Sequence, residues 1–101
     1  FTGTTTTVYG TVVDKQTGEP LADISVALTI FGGFGPATAE ASTVTDAHGE
    51  FHLSTDFDKS NTMDLYVNRS AIGTIGLYNP EYSTYQEVVH KGRVTKRRIK
   101  L

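Results

Sequence analysis

The sequence predicts an all-β fold, a Greek-key sandwich of seven short antiparallel strands, and three observations carry that prediction. Residues alternate in polarity with period two, as in Ile24, Val26, Leu28 and Ile30 against Ser25, Ala27, Thr29 and Phe31. Successive side chains of a strand point to opposite faces, so one apolar set marks one buried face. Turn-forming residues punctuate these runs at short intervals, as in a sandwich rather than in strand–helix units. No stretch of the chain carries the apolar period of a helix.

The chain has 101 residues and no cysteine. One domain of this size buries roughly 60–70% of its unfolded surface, enough for a core without covalent staples. Residues 1–7 read as a Thr-rich, linker-like leader running into the first strand, and residues 8–101 as the domain. The sequence starts at Phe1 without Met, so it reads as a fragment or a processed product from which a secretion signal could have been removed. No apolar run reaches the roughly 18 residues of a membrane-spanning helix.

The first strand is expected over about Thr7 to Asp14, with Val8, Gly10 and Val12 on one face and Tyr9, Thr11 and Val13 on the other. Thr17-Gly18-Glu19-Pro20 ends it, because Gly18 tolerates positive φ and Pro20 has no N–H to offer a ladder. The second strand, Ile24 to Phe31, gives way to Gly32–Ala39, whose glycines and proline predict a flexible loop with Phe34 at its tip. Ala41 to Thr45 and Glu50 to Ser54 flank the turn Asp46-Ala47-His48-Gly49 and are expected to form a hairpin, with Phe51 and Leu53 inward and Glu50, His52 and Ser54 outward. A fifth strand follows at Met63 to Val67. Asn68 to Pro80 reads as an insertion, an edge strand or a folded-over loop, because two glycines interrupt its apolar run. Tyr82 to Val89 and Val94 to Leu101 complete the set, separated by a turn at His90-Lys91-Gly92.

The net charge of −2 conceals an asymmetry. All eleven acidic residues lie before position 91 with only Lys15, Lys59 and Arg69, whereas residues 91–101 hold Lys91, Arg93, Lys96, Arg97, Arg98 and Lys100. Basic residues alternating along a terminal strand solubilise and blunt a sheet edge, and the acidic remainder repels phosphate, so no nucleic-acid partner is expected.

Catalytic patterns are thin. His48 and His52 are four apart, but a turn leading into a strand does not bring that spacing together as a helix does, so neither metal nor cofactor is expected. No G-x-S-x-G nucleophile turn occurs. Crosslinking of a first-strand Lys to a last-strand Asn is excluded, since Val8 to Val13 holds no Lys and Val94 to Leu101 no Asn. Asn68-Arg69-Ser70 is formally a glycosylation sequon.

GTVVDKQTGEPLADISVAL, TVTDAHGEFHL, EYSTYQEVV and the closing RIKL resemble the carboxypeptidase regulatory-like domain, a transthyretin-like, Ig-like seven-stranded sandwich. The likeness runs from Val8 to Leu101 and rests on Gly10, Val12, Asp14, Gly18, Pro20 and Val26, on Thr45, Asp46, Gly49 and Phe51, and on Tyr82 before the sixth strand. Two departures stand out. Asp23-Ile24 replaces the Gly-containing pair that commonly precedes the second strand, and the loops at Gly32–Ala39 and Asn68–Pro80 are longer than usual.

The motif residues make sense as structure: Gly10 permits a close backbone approach, and Asp14 and Asp46 can accept local backbone N–H groups at turns. What the resemblance implies is accessory work. The expected function is therefore a non-catalytic structural or interaction module of a larger secreted or cell-envelope bacterial protein, periplasmic or surface-associated, docking other protein domains through an edge or the two long loops. The alternative is carbohydrate binding near residues 68–85 through Tyr66, Tyr78, Tyr82 and Tyr85 with Asn68 and Asn79; Phe34, at the tip of the first loop, is a further candidate binding residue. A more remote one is a transthyretin-like hydrolase, whose Tyr-Arg-Gly-Ser ending this chain lacks.

Overall fold

The computed structural model describes residues 5–31 and 36–101, so Phe34 lies outside the described residues. Over these the chain is all-β, with strands β1 (Thr6–Val13), β2 (Ser25–Ile30), β3 (Thr38–Val44), β4 (Glu50–Thr55), β5 (Thr62–Val67), β6 (Tyr85–His90) and β7 (Val94–Lys100). They form a three-stranded sheet in the order β4-β1-β7 and a four-stranded sheet in the order β3-β2-β5-β6. No helix among the described residues is long and apolar enough to cross a membrane.

The alternation read from the sequence sets the core. Val8 and Val12 of β1, Phe51 and Leu53 of β4 and Ile99 of β7 meet Val26, Leu28, Met63, Leu65, Val67 and Val89 of the other sheet in one cluster. Burying each Val or Leu contributes about 1.5–3 kcal/mol, so the packing of the two inner faces is the main force holding the sheets together.

Pairing departs from expectation in two places. β3 and β4 are not a hairpin, because they belong to different sheets. The Asp46–Gly49 turn arches between the sheets instead, and its bonds, from Gly49 N–H to Asp46 O (2.9 Å) and from Asp46 N–H to Glu50 O (3.0 Å), are local ones that either geometry permits. Nor are the sheets wholly antiparallel: β1 pairs with β7 in parallel, Gly10 opposite Arg97 and Val12 opposite Ile99. The seventh strand enters from the same end as the first, since Thr7 N–H donates to Arg93 O (3.0 Å).

Element ends shift as well. Thr6, assigned to the leader by its composition, is fully buried in β1, where its hydroxyl accepts Gly92 N–H (2.9 Å). β6 starts at Tyr85 rather than Tyr82, and β3 at Thr38 rather than Ala41.

The 68–80 segment is a folded-over loop. Ile72 donates its N–H to Ala37 O (2.9 Å) and accepts from Ala39 N–H (2.7 Å), while Ile75 N–H reaches Ser42 Oγ (2.6 Å). At Gly76 the approach to the sheet is so close that a Cβ would lie 2.8 Å from Val44 Cγ1 and 3.7 Å from Ser25 Cβ. Ser25, Ala27 and Thr29, on the opposite side of β2 from Val26 and Leu28, are all buried. This strap therefore covers β3 and part of the outer face of β2.

Candidate functional site

Two stretches singled out by sequence, Asp14–Pro20 and Thr45–Phe51, meet in a structural joint. Asp14 Oδ1 accepts the N–H groups of Gln16 (2.7 Å) and Thr17 (3.1 Å). Gly18 takes φ 77° at the tip of that turn, and Pro20 bridges back to Val13. Across the joint, Val12 N–H donates to Gly49 O (2.8 Å). A Cβ on Gly49, whose φ is 72°, would stand 2.6 Å from Val12 O. Thr45, almost fully buried, donates its hydroxyl to Leu21 O (2.6 Å) and accepts Ile24 N–H (3.0 Å). Asp23, just before β2, takes φ 60°, a left-handed conformation that Asp tolerates better than most residues. Gly10 makes the closest approach among the described glycines, since a Cβ there would lie 1.8 Å from Arg97 O.

Asp46 belongs to the same joint. Its Oδ1 accepts N–H groups from His48 (2.8 Å) and Glu50 (3.0 Å). The bonds from Glu50 and then His48 hold its carboxyl below the ordinary aspartate range. Asp46, His48 and Glu50 bring three ligand-capable atoms within 4.8 Å of one another, all exposed; the backbone bonds at Asp46 account for that geometry. His52 is elsewhere, pointing outward from β4 beside Tyr9, ring centroids 6.5 Å apart.

Two of the candidate sugar contacts have polar atoms engaged within the fold. Tyr85 packs against the core, and its hydroxyl donates to Glu87 Oε1 (2.8 Å). Burial, reinforced by Glu87, pushes its pKa up. Asn79 spends its Oδ1 on Glu81 N–H (2.9 Å). Tyr82 packs on the core from the β6 approach; burial and the neighbouring Glu81, Asp14 and Glu19 raise its pKa. Its hydroxyl makes no hydrogen bond among the described residues. Tyr66 is buried under the Arg69 guanidinium, 4.5 Å from the ring centroid. Tyr78 is left exposed on the strap.

Asn68 clamps that strap. It is fully buried at φ 55°, and its Nδ2 donates to the carbonyls of Asn79 (2.8 Å), Tyr82 (3.2 Å) and Ser83 (3.2 Å). Its Oδ1 accepts Asn79 N–H (2.8 Å). An amide so committed cannot carry a glycan, and the sequon is structural. From this anchored base the strap turns apolar side chains to solvent: Ile72 is 56% exposed, Ile75 57%, Leu77 87% and Tyr78 47%. No charge falls between Arg69 and Glu81.

On the other sheet, the outer side holds a groove of about 820 Å³ with Tyr9 and Thr11 in its floor. Its β7 rim carries Lys96 and Arg98. Arg97, one register over, instead reaches across to β6 and forks onto Glu87, Nε to Oε1 at 2.8 Å and Nη2 to Oε2 at 3.2 Å. That bidentate pair closes the open side of the two sheets. From the sequence Tyr9 is placed only on the face of its strand opposite Val8, and nothing local shows that β7 lies beside it.

The chain matches no protein-family model and no curated protein. Among solved structures it is similar to a 9R-lipoxygenase from Cyanothece PCC8801, with a TM-score of 0.53 and 15% identity over 95% of this chain. The match takes in 16% of the lipoxygenase chain. At that identity the likeness is one of fold alone.

Proposed function

We propose that this chain is a non-catalytic interaction module that docks a protein partner on the strap at residues 71–78. The partner is a neighbouring domain of the same secreted or cell-envelope polypeptide, or another envelope protein. The observation carrying this reading is the inverted strap: Ile72, Ile75, Leu77 and Tyr78 face solvent while the backbone beneath them is bonded to β3. Clustered exposed apolar side chains mark interaction sites, and a strap already ordered loses little conformational freedom on docking.

We place the fold, on the same footing, in the Greek-key, transthyretin-like class of carboxypeptidase regulatory-like domains. Support comes from the joint in which both sequence motifs meet, and from a chain that crosses between sheets after β1, β3, β4 and β6. The residues carrying that resemblance are occupied with backbone bonds and close packing, which leaves docking to the departures from it.

A photo-crosslinking residue at position 77, in the parent polypeptide in its host, tests the docking surface. The expected result is one discrete protein adduct from position 77 and none from position 88 on β6, where Val88 is also exposed, at 57%. Equal, diffuse labelling from both positions would remove the strap from consideration.

A further inference from the structure

The outer face of the three-stranded sheet has a chemistry that docking through the strap leaves unused. Strand pairing sets Tyr9 between His52 of β4 and Lys96 of β7, and Thr11 between Glu50 and Arg98. These six form a grid with columns about 4.8 Å and rows about 6.8 Å apart. Tyr9 is 36% exposed in the floor of the groove. Among the described residues the ion pair is Arg97 with Glu87, so Lys96 and Arg98 keep their charges for a ligand.

We infer that this groove binds an acidic glycan, an oligosaccharide carrying uronic-acid carboxylates. An exposed aromatic ring offers a flat apolar platform with a polar tip, suited to the C–H face of a sugar ring. Guanidinium and ammonium groups along one rim complement carboxylates. Hydroxyl groups need acceptors as well as donors, and Thr11 on the floor and Glu50 on the opposite rim supply them. A phosphodiester backbone offers no hydroxyls to these acceptors, which sets the acidic glycan ahead of single-stranded DNA.

Calorimetric titration of the chain with tetragalacturonate, with neutral cellotetraose and oligo(dT) alongside, tests this. Saturable uronate binding is expected, at least tenfold tighter than either comparison ligand. Tyr9→Ala is expected to weaken it at least fivefold, and Lys96→Gln with Arg98→Gln at least tenfold, while Leu77→Ser on the strap leaves it unchanged. All these side chains lie outside the core, and a thermal melt of each variant confirms folding. Absence of saturable uronate binding would overturn the inference, as would tighter binding of oligo(dT), or uronate binding indifferent to Tyr9→Ala. Because Leu77→Ser separates the two surfaces, failure here leaves docking through the strap standing.

Discussion

Replacing Gly10 by alanine puts the pairing of β1 with β7 under direct test. At Gly10 φ is 156° and an added Cβ would lie 1.8 Å from Arg97 O. That atom belongs to backbone and cannot swing aside. β1 lies between β4 and β7, so withdrawing it from β7 disturbs both ladders. A non-glycine residue in this conformation costs about 1–3 kcal/mol, and each ladder hydrogen bond lost costs roughly 0.5–1.5 kcal/mol. Together these give a loss of about 3–5 kcal/mol, a large share of the 5–15 kcal/mol typical of a domain. At roughly 5 °C per kcal/mol for this size, the melting temperature should fall by about 15–25 °C. Thermal unfolding followed by circular dichroism, with urea unfolding alongside, measures it. A Gly10→Ala variant melting within a few degrees of the parent would refute the close parallel approach of β7.

Three further perturbations probe the rest of the fold. Asn68→Ala removes four hydrogen bonds from a buried clamp; it should cost about 3–5 kcal/mol by urea unfolding, and a loss below 1 kcal/mol would deny the clamp its role. Ser25 Oγ is buried without a hydrogen-bond partner among the described residues, so Ser25→Ala should raise stability by about 1 kcal/mol, and a drop in the melting temperature would contradict that account. At Asp46 the folded pKa is depressed by the bonds from Glu50 and His48. Its stabilisation is therefore complete above the ordinary aspartate value of about 3.9 and is lost as pH falls through the lower folded value. Asp46→Asn should melt below the parent at neutral pH, with the gap closing in acid, and a gap independent of pH would exclude the charge as its cause.

What the sequence disclosed was local. Val26 and Leu28, read as core from alternation alone, are fully buried, and Phe51 and Leu53 are buried where Glu50 and His52 are exposed. Gly18 and Gly49 take positive φ in the turns their positions suggested. Long-range pairing was not legible. The Asp46–Gly49 bonds suit a hairpin as well as an arch, and only the partners of β4 and β3 decide between them. The same limit hid the burial of Ser25, which the strap approaches at Gly76, a position about fifty residues later in the chain. Gly73 and Gly76 break the period of that strap, so its apolar residues carry no sign of which way they face. The groove at Tyr9 was hidden likewise, because Lys96 and Arg98 reach it only through the parallel return of β7.

Hydrogen exchange along residues 71–78 tests the proposed docking surface most directly, measured on the isolated chain and again in the presence of the proposed protein partner. In the isolated chain Ile72 and Ile75 amides are held by single bonds to Ala37 and Ser42 and should exchange through local opening. Burial of the strap against a partner predicts at least a tenfold slowing there, with β6 around Val88 unchanged. Identical strap exchange in both settings would contradict docking through this surface.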